Sequence, residues 1–364
     1  MRGDVSQQQR FFSYVPLESQ IPEDHKLRVI RDIVEGALVG MNLDFEGAYS
    51  STGRPSIPPE YLLKAMVLQI FYSIRSERQL VEHVKYNMLF RWFIGMNEDD
   101  RVWNATSFTK NRDRLLEAGI DKKFFEKILW HAGKKKLLSD DHFTVDGSLI
   151  QAWASHKSFR KKEDEKGKKD PPDDKSGLTF KGEKRCNETH ASTTDPDARL
   201  YRKSFNAAAL LSMMGHVLME NRNGLAVDCE LSIAGTKQER EVAKRKFLKK
   251  LKKKSGQKTL GGDKGYDVTD FIEACRDAGV TPHIAKKDKA GSPILDGRTT
   301  RHEGYEISQK KRKRVEEIFG WLKSTGLFRQ VKWRGLMKVG WMWRFGLATY
   351  NILRIANLQI RAAV

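Results

Sequence analysis

The chain is poor in cysteine. Cys186, Cys229 and Cys275 are its only three, widely separated and without a CxxC pair, which excludes a disulfide framework and suits a reducing compartment. Cys186 and His190 have a CxxxH spacing, but no second pair of matching spacing follows, so both read as loop residues rather than zinc ligands. Long apolar runs are also missing. The opening MRGDVSQQQRFF holds no signal-type apolar core, and the most apolar stretch, near the C-terminus, is interrupted by Arg344 and Arg354. No segment is expected to span a membrane, and the expected location is cytoplasmic. Acidic residues are the minority charge, 47 against 67 Lys and Arg, for a net charge of +20 over 364 residues. Such a chain is built to neutralise phosphates, with nucleic acid the leading partner and an acidic membrane surface the runner-up.

No internal repeat is present, and the length suggests two or three domains. In PSIPPEYLLKAMVLQIFYSIR, Leu62, Leu63, Met66 and Ile70 recur at helical spacing behind a proline-rich entry. Ser76-Glu77-Arg78-Gln79 reads as a capping box opening a helix to Tyr86, and Thr106 or Ser107 could cap a third helix through Asn111, Arg114 and Leu116. Residues 1–139 are therefore read as a helical, DNA-binding domain, with Lys110, Arg112 and Arg114 available to phosphates. From His142 the pattern turns to alternation, with a hairpin turn at Asn221-Arg222-Asn223-Gly224. The stretch at about 155–205 is charged, nearly devoid of apolar residues and carries a proline pair, so it reads as a basic, mobile insertion. Strand, helix, strand and helix then alternate through Gly262, Asp277, Ala285 and Glu316, and a last amphipathic helix starts near Met337. The fold class expected is α+β or α/β, with a mixed sheet over residues 140–364.

Three carboxylates stand out. Asp146 in FTVDGSLI and Asp263 in TLGGDKGYD each end a short apolar run beside glycines that let a ligand approach. Asp267 is a nearby competitor better suited to a capping role before Thr269. On the helix of QKKRKRVEEIFGWLK, Val315, Ile318, Phe319 and Leu322 form the core face. At about 100° per residue, Arg312 and Lys323 fall within about 40° of Glu316, whereas Glu317 points to water. Asp146, Asp263 and Glu316 are the donors needed to hold two Mg²⁺ ions about 4 Å apart for attack on a phosphodiester, with Mn²⁺ as a substitute. Lys310, Arg312, Lys313, Arg314 and Lys323 surround Glu316 with positive charge for DNA phosphates. Trp321, Trp333, Trp341 and Trp343 read as core aromatics more readily than as base-stacking groups.

Across most of its length the chain resembles the DDE transposases of bacterial insertion sequences, within them the insertion-sequence-five family. The resemblance lies in NETHASTTDPDARLYRKS, MGHVLMENRNGLAVD, DKGYD, TPHIA and RKRVEEIFGWLKSTGLFRQVKWRG. It implies a ribonuclease-H-like catalytic domain whose acidic triad falls on Asp146, Asp263 and Glu316. The family's Tyr-(2)-Arg-(3)-Glu-(6)-Lys signature falls on Arg312, Glu316 and Lys323, with Gln309 in the tyrosine position. The activity implied is cleavage of DNA at terminal inverted repeats and joining of the 3′-hydroxyl ends to target DNA, by a homodimer or higher assembly on paired ends, in association with the nucleoid. Two alternatives stay open: a ribonuclease-H-like nuclease without strand transfer, and a catalytically inactive, domesticated DNA-binding protein.

Overall fold

Polar side chains standing just ahead of apolar-periodic runs start several N-terminal helices in the computed structural model, which describes residues 15–49, 56–162, 179–180, 183–202, 207–252, 256–287, 295 and 297–363. The helices are α1 (Leu17–Gln20), α2 (Leu27–Val39), α3 (Asn42–Glu46), α4 (Pro59–Phe71), α5 (Glu77–Tyr86), α6 (Met88–Ile94), α7 (Ala105–Glu117) and α8 (Ile120–Lys134). Ser76 accepts from the Gln79 N–H at 3.1 Å, as its capping-box spacing requires, and Asn87 accepts from Leu89 at 2.9 Å to start α6. The start of α7 differs from the sequence expectation. Asn104, in extended backbone, accepts from Ser107 at 2.8 Å, which puts Thr106 and Ser107 inside the first turn rather than at the cap.

The strands among the described residues are β1 (His142–Gln151), β2 (Phe159–Lys161), β3 (Thr179–Phe180), β4 (Glu183–Lys184), β5 (His190–Ser192), β6 (Arg199–Tyr201), β7 (Leu210–Glu220), β8 (Ala226–Ile233), β9 (Lys258–Gly262) and β10 (Val280–Ile284). The main sheet runs β10-β9-β1-β7-β6, with β8 also on β7. β1, β7 and β8 pair antiparallel, and β9 and β10 join parallel to β1. The β7–β8 connection holds the expected turn, with Gly224 at φ 74°, where a side chain would be strained. The stretch expected to be mobile is ordered where it is described. β2 pairs with β5, and β6 adds to the start of β7, because Phe159, Ala198 and Leu211 give these segments a small apolar core of their own. The lysine-rich middle, residues 163–178 and 181–182, lies outside the described residues.

The remaining helices are α9 (Gln238–Val242), α10 (Lys249–Lys252), α11 (Thr269–Asp277), α12 (Gly297–Thr300), α13 (Glu303–Lys311), α14 (Val315–Ser324) and α15 (Leu336–Ala363). A π-helical stretch, Ala243–Leu248, joins α9 to α10. Strand alternation divides the core between the two faces of the sheet. Phe143, Val145 and Leu260 pack with Phe247, Phe271 and Ile272 on one face. Ile150, Met213 and Val217 pack with Val315, Ile318 and Trp343 on the other. Gly215 is required there: a Cβ at this position would stand 2.6 Å from the Trp343 ring.

The 28 residues of α15 extend about 42 Å at 1.5 Å per residue, enough to lie on both α8 and β8. Buried Asn351 exchanges two hydrogen bonds with the Ala226 backbone, at 2.8 and 2.9 Å. The entry to α15 is held by the DPD of the 183–202 segment: Asp197 accepts from Leu336 at 2.8 Å, and Asp195 from Gly335 at 3.2 Å. Trp341 and Trp343 are buried, and Trp321 rests against Phe71 and Tyr350, so these three belong to the core. No described helix is long and apolar enough to cross a membrane.

Candidate active site

Asp146 lies in the middle of β1 and Asp263 immediately after β9, and the parallel register between these strands relates them. Its last pair is Thr144 with Gly261. Two residues further on stand Asp146 and Asp263, and Asp263 keeps extended backbone at φ −75° and ψ 179°, so alternation continues through it. Both aspartates therefore extend from the same sheet face, on strands spaced about 4.8 Å apart. Each is steadied locally: Asp146 Oδ1 accepts from the Gly147 N–H and Asp263 Oδ1 from the Gly265 N–H, both at 2.8 Å.

The same face receives the 312–324 segment. A Cβ on Gly261 would stand 3.4 Å from the Arg312 Cβ and 3.2 Å from the Thr144 hydroxyl, so Arg312 crosses the sheet at the level of Thr144. At the far end, the Gln151 N–H donates to the Arg329 carbonyl at 3.3 Å and the Gln151 carbonyl accepts from the Val331 N–H at 3.0 Å. α14 thus runs alongside β1 in the strand direction. Glu316 follows about one helical turn after Arg312, in α14, which packs along β1. Glu316 is exposed. Among the described residues, no three His, Cys, Asp or Glu side chains stand close enough together to hold a metal ion.

Gln309, in the position where the sequence departs from its family signature, has a definite job. Its amide donates to the His283 carbonyl at 2.6 Å and accepts from the Arg312 Nε at 2.9 Å, tethering Arg312 to β10. The other basic residues of this segment divide. Lys310 and Lys313 are exposed and Lys323 is half-buried, whereas Arg314 turns inward to the carbonyls of Asn221 and Arg222 at 3.3 and 2.9 Å. Arg314 therefore locks the hairpin turn. Glu317 faces Arg354 at 3.9 Å and is largely exposed.

Tyr266 and Glu239 were not singled out by sequence. The Tyr266 hydroxyl is buried and has no hydrogen-bond partner among the described residues, and burial pushes its pKa well above the ordinary value, with the charges of Glu239, Asp146 and Asp263 acting in the same direction. Glu239 lies against Gly147, where a Cβ would meet its carboxylate at 2.7 Å. Only the apolar flank of DKGYD could have signalled the burial of Tyr266. Asp267 is not a helix cap; its carboxylate accepts from the Lys287 N–H at 3.0 Å, and α11 begins without a side-chain cap. Cys186 and His190 both meet the Thr189 hydroxyl, at 3.2 and 2.8 Å, and His190 stacks on Phe159.

In comparison with known families, residues 188–352 match the transposase DDE domain and residues 15–114 match the transposase domain DUF772. Both matched models are transposase domains, and they fall on separate parts of the chain. Asp263 and Glu316 fall inside the DDE match, and Asp146 lies between the two matched regions. None of the curated proteins compared matches the chain. Among solved structures, the piggyBac transposase synaptic complex with hairpin DNA aligns over 93% of this chain and 75% of its own, at 10% identity and a TM-score of 0.40. The Mos1 transposase paired-end complex with left transposon end aligns over 89% and 84%, at 13% identity and a TM-score of 0.19. The Mos1 strand transfer complex aligns over 94% and 98%, at 12% and 0.21.

Proposed function

We propose that this chain is an insertion-sequence transposase of the insertion-sequence-five type, which cleaves DNA at terminal inverted repeats and joins the freed 3′-hydroxyl ends to target DNA. Residues 140–364 are its catalytic part and residues 1–139 its DNA-engaging part. The observation that carries the reading is the parallel register of β1 and β9, which ends at Thr144 with Gly261, two residues before Asp146 and Asp263 alike, with Arg312 lying against Gly261. The sheet order supports a ribonuclease-H-like core: a β1–β7–β8 antiparallel meander extended by parallel β9 and β10.

The donor chemistry fits hard divalent cations, since the aspartates supply carboxylate oxygens from adjacent strands of one rigid sheet. Asp146, Asp263 and Glu316 would hold Mg²⁺, or Mn²⁺ in its place. Two such ions, when bound, supply Lewis acidity to the attacking and leaving oxygens of a phosphodiester. The chain's own residues do the rest. Gln309 fixes Arg312 over the face of β9 beside β10, where its guanidinium can take a phosphate in a bidentate grip. Lys323, about three turns further along the same helical stripe, meets the backbone beyond it, and Lys310 and Lys313 add exposed positive charge. Acting on paired element ends requires a homodimer or a larger assembly.

The test is Mg²⁺-dependent cleavage of a duplex carrying the element's own ends, with DNA binding measured in parallel at one salt concentration. Asp146→Ala, Asp263→Ala and Glu316→Ala are each expected to lower cleavage by roughly a thousandfold or more while binding persists, and Glu317→Ala to stay active. Normal cutting by any of the three alanine variants sinks the assignment of that residue. A wild-type product that is nicked but never joined to a second plasmid reduces the function to nuclease.

A further inference from the structure

Away from the carboxylates, the N-terminal helices enclose a second charged feature. A cavity of about 670 Å³ opens between α5, α6 and the 101–105 segment, and four of its lining residues, Arg78, Lys85, Arg91 and Arg101, are cations. None of the lining residues is a carboxylate. Arg78 and Lys85 are seven residues apart on α5, on one face of the helix and about 10 Å apart along it.

The cations differ in state. Arg91 is buried and committed, donating to the carbonyls of Asn97 and Asp100 at 2.5 and 3.1 Å, so it braces the wall. Arg78, Lys85 and Arg101 are exposed, and among the described residues none of them pairs with an acid. The N-terminus of α7 opens at the same place, with Asn104 and Ala105 in the lining, and a helix start presents N–H groups and partial positive charge to an anion. Tyr86 lines the cavity while 80% exposed, leaving its hydroxyl available as a donor. By contrast, the basic residues that sequence alone offers for phosphate contact on α7 are largely engaged: Arg112 is buried against Glu77, and Arg114 lies over the Tyr49 ring at 4.9 Å.

We propose that this cavity, through Arg78, Lys85, Arg101 and the α7 N-terminus, is a docking surface for the phosphodiester backbone of a DNA duplex. A single phosphate has no use for cations spread over about 10 Å, whereas one strand of B-DNA presents a phosphate about every 3.4 Å of axis, so the stripe spans about three. The surface positions DNA and carries no base code of its own. This inference rests on the reading of the chain as a DNA-acting transposase, and adds where its helical part grips.

The experiment measures binding of a labelled duplex of arbitrary sequence across a salt series, for the full chain and for Arg78→Ala/Lys85→Ala/Arg101→Ala. A control variant removes the same charge from three exposed lysines elsewhere, Lys26, Lys122 and Lys249. The cavity variant is expected to bind roughly tenfold more weakly or worse, with the slope of log K against log salt reduced by about 2 to 3, while the control changes far less. Its circular dichroism and melting temperature should match wild type. An unchanged slope, or equal losses in both variants, overturns the docking surface and leaves the transposase reading standing. Competition by inorganic phosphate as strong as by the duplex also overturns it, reassigning the cavity to a free anion. A wild-type chain that binds no duplex at all overturns both.

Discussion

Asp121 and Asp263 are both aspartates in ordered structure, and the molecule treats them in opposite ways. Asp121 is 2% exposed in α8 and its carboxylate is held by the Arg344 guanidinium of α15, so the pair joins the N-terminal helices to the last helix of the chain. Burial pushes the Asp121 carboxyl above the ordinary carboxylate range, against the pull of Arg344. Asp263 stands just past a strand end, exposed, and its hydrogen bond to Gly265 shapes a local turn rather than joining two elements. The difference separates charge the fold depends on from charge the fold merely carries. Carried charge, repeated on adjacent strands of one face, is what a catalytic reading requires, because its cost is borne by the scaffold around it.

Breaking the structural member should have the larger effect on stability. Asp121→Ala leaves the half-buried Arg344 guanidinium without its partner and is expected to cost about 1.5 to 3 kcal/mol, seen as a fall in the urea midpoint. A loss under about 1 kcal/mol would mean that solvent screens the pair as it does a surface ion pair and that the joint contributes little.

Acidification probes the same division through a neutral group. His216, fully buried on β7 and bonded to Ser232 at 2.8 Å, has its pKa lowered from 6.5 to about 3, chiefly by burial and further by Arg245 and Lys246. The unfolded chain takes up this proton below pH 6.5 while the folded one does not until about pH 3. Stability from this residue is therefore complete above the unfolded pKa and is lost as pH falls through the window between the two. Between pH 7 and pH 5 the residue's share of the loss is about 2 kcal/mol. Unfolding free energies at the two pH values, compared between wild type and His216→Gln, should show a smaller drop in the variant. Equal drops would place the titrating group elsewhere, His283 being the next candidate because its pKa is lowered to about 4.

What could be read in the sequence follows the same line between local and distant causes. The helix at Ser76, the hairpin at Asn221–Gly224 and the strand ending at Gly262 were legible because their signals act within a few residues: a capping oxygen, a glycine at positive φ, an apolar run. The helix cap at Asn104 was missed by two residues because Thr106 and Ser107 offer equally good cap chemistry, and only the backbone angles decide. Asp195 and Asp197 were not legible at all. They cap a helix roughly 140 residues away, and no spacing rule reaches that far. Arg314 was read as a phosphate contact from the basic run around it, but the nearby hairpin carbonyls claim it. Glu316 was chosen over Glu317 by helical periodicity alone, and it stands exposed on α14, the helix that packs along β1.

The smallest expected effect on stability is the sharpest probe of the comparison. Asp263→Asn preserves the shape of the side chain and an oxygen able to accept from the Gly265 N–H, so the turn after β9 keeps its hydrogen bond at 2.8 Å. What it removes is the charge. If that charge is carried for chemistry, unfolding free energy should move by no more than about 0.5 kcal/mol, the range of a surface substitution, and Mg²⁺-dependent cleavage should still disappear. A loss of stability near that of Asp121→Ala would make Asp263 a second structural joint, and the register beside Asp146 would then describe how the sheet is held rather than where a phosphodiester is cut.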